Sequence, residues 1–333
     1  MHTKMHTKAQ RSLTSRRWWP GVQRVGIAVF FAVVLSLLVT QARGVDWSEV
    51  LTALRGYSPL SVGLAVLLAV ASFLLYSCFD LLGRHYTGHR LGTLTVITVT
   101  FVSYVFNLNL GSLVGGVAFR YRLYSRLGLA TGTITRVLTF SMLTNWMGYL
   151  LLGGLVFSLM PPTLPADWPI TTFHLRLIGV VLVGVAAAYL ALCTLSVQRT
   201  FSIRGHTIEL PSARLAALQL AMGAANWLLM SGIVFVLLQQ RIEFPAVVSV
   251  LLLAGIAGVI THIPAGLGVL EAVFVALLSH QVPQPALLAG LVAYRVVYYL
   301  APLGLAALVY GVMEVRARKL AVPVKAADLQ RYS

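Results

Sequence analysis

The chain has 333 residues, of which 58% are hydrophobic and only 10% are charged. An average soluble domain has about 25% charged residues, so this composition excludes an ordinary soluble protein and indicates a membrane protein. The formal net charge is +16. Its Lys and Arg residues lie between apolar segments without aromatic interleaving, which favours topology signals and lipid-headgroup contacts and argues against a nucleic-acid partner.

The N-terminal part predicts a basic tail followed by a first span. Residues 1–21 are rich in Lys and Arg, which mark the cytoplasmic side of a membrane protein. The apolar run that follows, 22–40, is too long for the core of a signal peptide, so we predict a retained span.

Five further segments are apolar over about 20 residues, the length that a spanning helix needs. They are 59–82, 136–159, 173–197, 214–239 and 286–311. Two other apolar regions, 93–119 and 247–280, are interrupted by asparagine, glycine and proline residues. Glycine and proline at this density argue against a continuous spanning helix.

Charge predicts how the two interrupted regions run. If residues 93–119 enter the bilayer and turn back, so that the hairpin spans 93–128, the arginine cluster that begins at Arg120 lies on the cytoplasmic side, as the positive-inside rule requires. Residues 247–280 must also turn back if the basic tail 312–333 is to be cytoplasmic. We therefore predict an all-α polytopic protein of a bacterial cytoplasmic membrane, with about six full spans, two re-entrant hairpins that enter from opposite faces, and both termini cytoplasmic.

The order of elements in the single membrane domain 22–311 indicates an internal repeat. Residues 59–159 contain a span, a hairpin and a span, and residues 214–311 contain the same order. The two copies begin on opposite sides, so the repeat is inverted. Inverted repeats with broken helices are a recurrent transporter plan, and the binding site lies where the repeats meet.

The second hairpin carries the run THIPAGLGVLEAVF, which begins at residue 261. His262 lies at the break, Pro264, Gly266 and Gly268 interrupt the helix, and Glu271 falls in the first turn of the next one. Backbone N–H groups at a helix start favour anions, and a carboxylate inside a membrane is a functional-site hypothesis by default. The alternative is that Glu271 only completes its own helix start.

Arg295 lies well inside the last span, in the run AYRVVYYLAPL, and therefore needs a partner. We expect Glu271 as the protein partner. A lipid phosphate is the expected ligand, because a guanidinium group binds phosphate through two parallel hydrogen bonds. A purely structural ion pair between Glu271 and Arg295 is the alternative.

The first hairpin offers a second set of polar residues. Asn107 and Asn109 precede its glycines and can bond freed backbone, whereas Arg120 and Arg122 follow them. The first of these arginines falls where the glutamate falls in the second repeat. Asp80, at the inner end of a span, is either a counter-ion for one of the two arginines or an interfacial helix cap.

Motifs for other chemistry are weak or missing. His85 and His89 have the spacing of metal ligands on a helix but lie in a short basic loop without an acidic or cysteine neighbour, which favours a solvated loop. No P-loop or Ser/His/Asp arrangement occurs. We therefore expect no metal site, no cofactor and no enzymatic activity.

Three runs, FNLNLGSLVGGVAFRYRLYSRLGL, HIPAGLGVLEAVF and AYRVVYYLAPL, resemble the transmembrane domain family named after lysylphosphatidylglycerol synthase. The resemblance covers nearly all the chain. It implies a flippase-like domain that moves aminoacylated phosphatidylglycerol, here expected without the aminoacyl-transferase domain. The cavity residues that it implies are Pro264, Gly266, Gly268, Glu271, Arg295 and Tyr298, with Arg120 and Arg122 from the first hairpin.

These observations favour a lipid translocase with anionic phospholipids as partners. A small-solute or ion secondary transporter with a cavity closed to lipid is one alternative. The other is a scaffold or regulator of envelope lipid metabolism that does not transport, in which neutralising Glu271 or Arg295 changes only stability. A homo-oligomer is compatible with each hypothesis.

Overall fold

The computed structural model describes residues 48, 52, 55–164, 171–203, 206–261 and 263–329. The basic tail 1–21, the predicted span 22–40 and His262 lie outside these residues. By its contacts the chain divides into Met1–Asp46 and Trp47–Ser333, and all the described residues belong to the second unit.

The described residues fold almost entirely into helices. The α-helices are α1 Pro59–Thr87, α2 Thr93–Leu110, α3 Phe119–Arg126, α4 Thr131–Leu159, α5 Thr172–Leu195, α6 Ala213–Leu237, α7 Phe244–Thr261, α8 Val269–Leu278, α9 Gln284–Arg295 and α10 Ala301–Leu329. Shorter helical turns are the π-helical Ser112–Ala118 and Val296–Leu300 and the 3-10 turn Pro264–Gly266. The strands β1 Thr200–Ile203 and β2 His206–Glu209 form a small antiparallel hairpin between α5 and α6.

The prediction of an all-α polytopic membrane protein is confirmed. Seven helices in the described part of the chain are long and apolar enough to cross a membrane. Five of them, α1, α4, α5, α6 and the continuous α9–α10, match the predicted spans. The other two are α2 and α7, the first arms of the two interrupted regions.

The first long helix, α1, begins and ends at residues that suit helix termini. Ser58 accepts a hydrogen bond from the Ser61 N–H at 3.1 Å, and Pro59 occupies the first helical position. Both are favoured at a helix start, because the first N–H groups have no partner within the helix. At the other end Gly88 adopts φ +71° and bonds the Arg84 carbonyl, which closes the helix.

Small residues bring the long helices into close contact. A Cβ on Gly148 of α4 would lie 2.1 Å from the carbonyl carbon of Gly223 in α6, and one on Gly154 of α4 would lie 3.0 Å from the Gly179 oxygen of α5. In a membrane, helix association depends on such close packing, because lipid supplies no hydrophobic driving force between helices. α4 therefore packs closely against both α5 and α6.

The first interrupted region folds back on itself. The chain turns at Gly111, which has φ +86°, and then returns along α2 through the π-helical segment and α3. A Cβ on Gly115 would lie 2.1 Å from the Phe106 oxygen, so only glycine permits this approach. Beyond it the rings of Phe106 and Phe119 stack with centroids 4.4 Å apart.

The second interrupted region also folds back, between α7 and α8. Three residues of its turn have left-handed backbone: Ala265 (φ 57°), Gly266 (φ 56°) and Gly268 (φ 76°). Its tip contacts α2 of the first hairpin. The tip of the second hairpin therefore lies against the first hairpin.

The bases of the hairpins lie at opposite ends of the bundle. At one end Tyr124 of α3 donates to Asp80, near the end of α1. At the other end Tyr57, just before α1, donates to the Leu237 carbonyl, which precedes the second hairpin. This inverted arrangement agrees with the predicted repeat. The entry of each hairpin into the bilayer from its own face stays a prediction.

Candidate functional site

An ion pair joins the tip of the second hairpin to α9. Arg295 Nε lies 2.5 Å from Glu271 Oε1, and its Nη2 lies 3.0 Å from Oε2. The guanidinium group also donates to the carbonyls of Ala265 and Gly266 at 3.0 Å. These bonds use four of the five N–H donors that an arginine carries. The expected pairing of Glu271 with Arg295 is therefore confirmed.

The sequence around this pair explains its position. The left-handed turn ends α7 at the tip and directs carbonyl oxygens toward α9, and Gly268 starts α8 so that Glu271 falls in its first turn. The two side chains are 21% (Glu271) and 13% (Arg295) exposed. The Glu271–Arg295 pair is thus partly exposed.

The second ion pair is completely buried. Arg120 Nη1 of α3 lies 3.5 Å from Asp80 Oδ1 of α1, and Tyr124 donates to Oδ2 at 2.8 Å. Asp80 is 0% and Arg120 is 3% exposed. Of the two roles considered for Asp80, the structure supports the counter-ion of Arg120, since Asp80 lies within α1 and not at a helix start.

The hydrogen bonds of this buried pair are incomplete. Asp80 Oδ1 and Arg120 Nε are both buried, and neither finds a hydrogen-bond partner among the described residues. On one side the guanidinium group lies 5.6 Å from the centre of the Tyr76 ring. A buried ion pair stabilises a protein only when its remaining polar atoms are also bonded, so this pair is poorly satisfied.

Tyrosines connect the two ion pairs through the core, and we call them the tyrosine belt. Its members are Tyr76, Tyr104, Tyr294, Tyr298 and Tyr299. The rings of Tyr76 and Tyr104 stack 3.4 Å apart, and those of Tyr294 and Tyr298 stack 5.5 Å apart. Arg120 packs on Tyr76 at one end, and Arg295 lies 5.4 Å from the Tyr299 ring centre at the other. The two charged sites thus share one aromatic wall.

A chain of hydrogen bonds crosses the middle of the belt. Ser72 donates to Asn226 Oδ1 at 2.8 Å and shares a 2.7 Å bond with the Tyr298 hydroxyl, which lies 3.2 Å from that of Tyr104. Because the single Ser72 proton goes to Asn226, Tyr298 must donate to Ser72 and Tyr104 to Tyr298. The chain links both repeats, and it places the predicted residue Tyr298 at its centre.

The predicted asparagines are placed near the hairpin tips. Asn109 donates to the Val105 carbonyl at 2.9 Å and to that of Tyr299 at 3.4 Å, so it joins the first hairpin to the belt. Asn107 lies against Gly116, whose Cβ position would be 2.8 Å from its Oδ1. Asn109 therefore belongs to the site, and Asn107 supports the fold-back of the first hairpin.

Arg122 lies apart from the other predicted site residues. It is half exposed and 3.6 Å from Glu314 of α10, which also binds Arg126 through two hydrogen bonds of 2.5 and 3.3 Å. The Tyr310 ring lies beneath Arg122. This group ties the first hairpin to α10 and does not contact the buried pair.

Several site residues carried no sequence signal of their own. Ser72, Tyr76 and Tyr104 lie in apolar helices, where single serines and tyrosines are common. Their importance follows only from the contacts that they make across helices. Asp80 did carry a signal, because a carboxylate close to a membrane span is unusual.

The described part of the chain holds no group of three or more His, Cys, Asp or Glu residues that could bind a metal ion. His89 lies in the loop between α1 and α2, with its ring 6.3 Å from that of Tyr124. Burial, aided by the positive charge of Arg84, lowers the pKa of His89, so we expect this ring to be neutral at pH 7.

Comparison with known proteins covers the whole site. The family described as the lysylphosphatidylglycerol synthase TM region matches residues 24–306. The inner membrane protein YbhN of Escherichia coli is 44% identical over 310 residues, which are 93% of this chain and 98% of that protein. An uncharacterized protein of Synechocystis sp. is 31% identical over 304 residues, or 89% of this chain and 94% of the other. Both hairpins and both ion pairs fall within the matched residues.

Proposed function

Because this chain belongs to the family of the lysylphosphatidylglycerol synthase transmembrane region, we propose that it moves anionic phospholipids between the leaflets of a membrane and has no enzymatic activity. One observation carries the proposal: arginines of opposite repeats, Arg120 and Arg295, lie at the two ends of one tyrosine belt. Charges buried within a membrane protein carry a substantial energetic cost, so they usually serve substrate or ion passage.

The chemistry of the Glu271–Arg295 pair suits exchange with a phosphate. A guanidinium group binds a carboxylate and a phosphate through the same parallel pair of hydrogen bonds. In our proposal a headgroup phosphate replaces Glu271 on Arg295, so the arginine is paired both before and after binding. The displaced carboxylate must then meet water or take up a proton, because an unpaired carboxylate is costly in a membrane.

The Asp80–Arg120 pair supplies the corresponding site of the other repeat. Its unmet hydrogen-bonding atoms, Asp80 Oδ1 and Arg120 Nε, favour a second arrangement in which water or a headgroup reaches them. Rocking of the repeats about the hairpin tips would open one pair while it closes the other. The acyl chains would remain in the bilayer throughout.

The test is leaflet exchange in liposomes with headgroup-labelled phosphatidylglycerol. The decisive variant is the double substitution Glu271→Gln/Arg295→Gln. A single substitution leaves one charge unpaired, which costs about 3–5 kcal/mol, whereas the double variant leaves none and should fold. A hydrogen bond to a charged group contributes about 1.5–3 kcal/mol, so we expect exchange to slow by about tenfold or more.

Arg126→Gln is the matched control, because it also removes an arginine from an ion pair, but Arg126 is 44% exposed and bonds Glu314 away from the belt. It should exchange lipid at the wild-type rate. Wild-type protein that exchanges no anionic phospholipid would contradict the proposal and favour a small-solute transporter or a scaffold. Equal slowing by the double variant and by Arg126→Gln would show that Arg295 has no special part.

A further inference from the structure

A separate cavity of about 230 Å³ lies at the end of the bundle away from the Asp80–Arg120 pair. Tyr57, just before α1, and Leu237, at the end of α6, form part of its wall. Asp80 lies far along α1 from this end, roughly 30 Å away at the helical rise of 1.5 Å per residue. No residue of either ion pair lines the cavity.

The cavity has an apolar floor and a polar rim. Val282 and Ala289 on the floor are almost completely buried, and Gln239 and Arg241 lie on the exposed rim. Among the described residues that line the cavity, Arg241 alone is charged. Its charge acts on Tyr57, where it opposes the rise in pKa that burial causes. A site of this kind favours a small ligand with one anionic and one apolar part.

The backbone that presents Arg241 is strained. Gln239 and Gln240 have φ of 54° and 56°, a left-handed conformation that residues with a Cβ disfavour. Gln239 Oε1 accepts a 2.8 Å hydrogen bond from Arg241 Nη2 and so orients the guanidinium group. No carboxylate of the described residues lies within 4.0 Å of Arg241. Consecutive strained residues of this kind cluster at ligand sites.

We propose that this cavity binds the phosphate-bearing headgroup of an anionic lipid, with Arg241 on the phosphate and the apolar floor against the glycerol. The volume corresponds to about eight water molecules, which fits a headgroup but not acyl chains. The charge pattern predicts that this end faces outward, so the lipid would come from the outer leaflet. The assignment of the phosphate group to a lipid rests on the proposed function. A soluble phosphate ester shares the same chemistry.

Titration calorimetry on the purified full chain in detergent tests the cavity directly. The probes are dihexanoyl phosphatidylglycerol, below its micelle concentration, and glycerol 3-phosphate. Arg241→Gln removes the charge, and Ala286→Leu narrows the cavity from its half-buried wall. Both should raise the Kd of the lipid probe, by about tenfold or more for Arg241→Gln, because charge-assisted bonds are the strong ones.

Arg55→Gln is the matched control, since Arg55 is an exposed arginine at the same end that does not line the cavity. It should bind like wild type. An unchanged Kd in Arg241→Gln, or an equal loss in Arg55→Gln, would overturn the site. Binding of glycerol 3-phosphate alone would overturn the assignment to lipid. Calorimetry measures binding and not transport, so the two proposals can fail separately. Binding to the cavity without leaflet exchange in liposomes contradicts only the proposed function. Leaflet exchange without binding to the cavity contradicts only the cavity site.

Discussion

At the residue scale, the two ion pairs differ in how well they are hydrogen bonded. Arg295 has four of its N–H donors in hydrogen bonds within a partly open site. Arg120 is fully buried, and its Nε has no partner among the described residues. A fully bonded pair fixes a conformation, whereas a poorly bonded one favours rearrangement. Of the two, the Asp80–Arg120 pair is therefore the better candidate for a structural change during function.

The first prediction concerns the stability of this buried pair. Arg120→Gln leaves the Asp80 carboxylate unpaired and should lower the free energy of unfolding by about 3–5 kcal/mol. The double variant Asp80→Asn/Arg120→Gln removes both charges and should recover most of that loss. Thermal unfolding in detergent measures both. If the double variant loses as much stability as the single variants Arg120→Gln and Asp80→Asn combined, the pair is not coupled.

The residues of the site could be predicted from their own chemistry only where they carry charge or interrupt a helix, and Tyr298 was predicted only by the family resemblance. Glu271 and Arg295 were found as a pair, because a charge inside a span demands a partner. Asp80 could be predicted either as a counter-ion for Arg120 or Arg122 or as an interfacial helix cap. The hydroxyl chain through Ser72 and Tyr298 could not be assembled, since it depends on how helices from both repeats pack.

At the element scale, glycines decide which helices approach each other. Gly115 lets the first hairpin return along α2, and Gly148 with Gly223 lets α4 cross α6 at backbone contact. The sequence predicted both hairpins from glycine and proline density. It did not predict the π-helical turns at Ser112–Ala118 and Val296–Leu300, because the wider π-helical turn depends on packing against other helices rather than on local helix propensity.

The second prediction tests the crossing of α4 and α6. Gly148→Ala places a methyl group where the backbone of Gly223 now lies, and overpacking of this kind costs about 1–3 kcal/mol. Gly184→Ala in α5 is the matched control, because nothing lies within 4 Å of its Cβ position. Gly184→Ala should unfold at or above the wild-type temperature, and Gly148→Ala below it. Equal unfolding temperatures would contradict the close crossing.

At the scale of the whole molecule, the two hairpins have their bases at opposite ends. Segments that the charge pattern assigns to the cytoplasmic side form hydrogen bonds with each other. Tyr86 bonds the Glu209 carbonyl, and Arg126 bonds Glu314. At the opposite end Tyr57 bonds the Leu237 carbonyl. The positive-inside rule thus predicted which segments share an end, even though it contains no information about packing.

The third prediction assigns each end to a side of the membrane. We expect a cysteine at the exposed Ser125 to react with a membrane-impermeant maleimide only from the cytoplasm, and one at Gln281 only from outside. Cys78 and Cys193 are replaced by alanine in both variants. The control is the double-alanine protein without an added cysteine, treated with the same maleimide. Labelling of either position from the opposite side would exclude the re-entrant topology.

The separation of the paired charges along the chain bears on how the protein is made. Asp80 and Arg120 lie 40 residues apart, and Glu271 and Arg295 lie 24 apart. Each pair is thus complete within one repeat. Since synthesis proceeds from the N-terminus, the first repeat can neutralise its buried arginine before the second has left the ribosome. Neither repeat needs to enter the membrane with one of these charges unpaired until the other repeat is made.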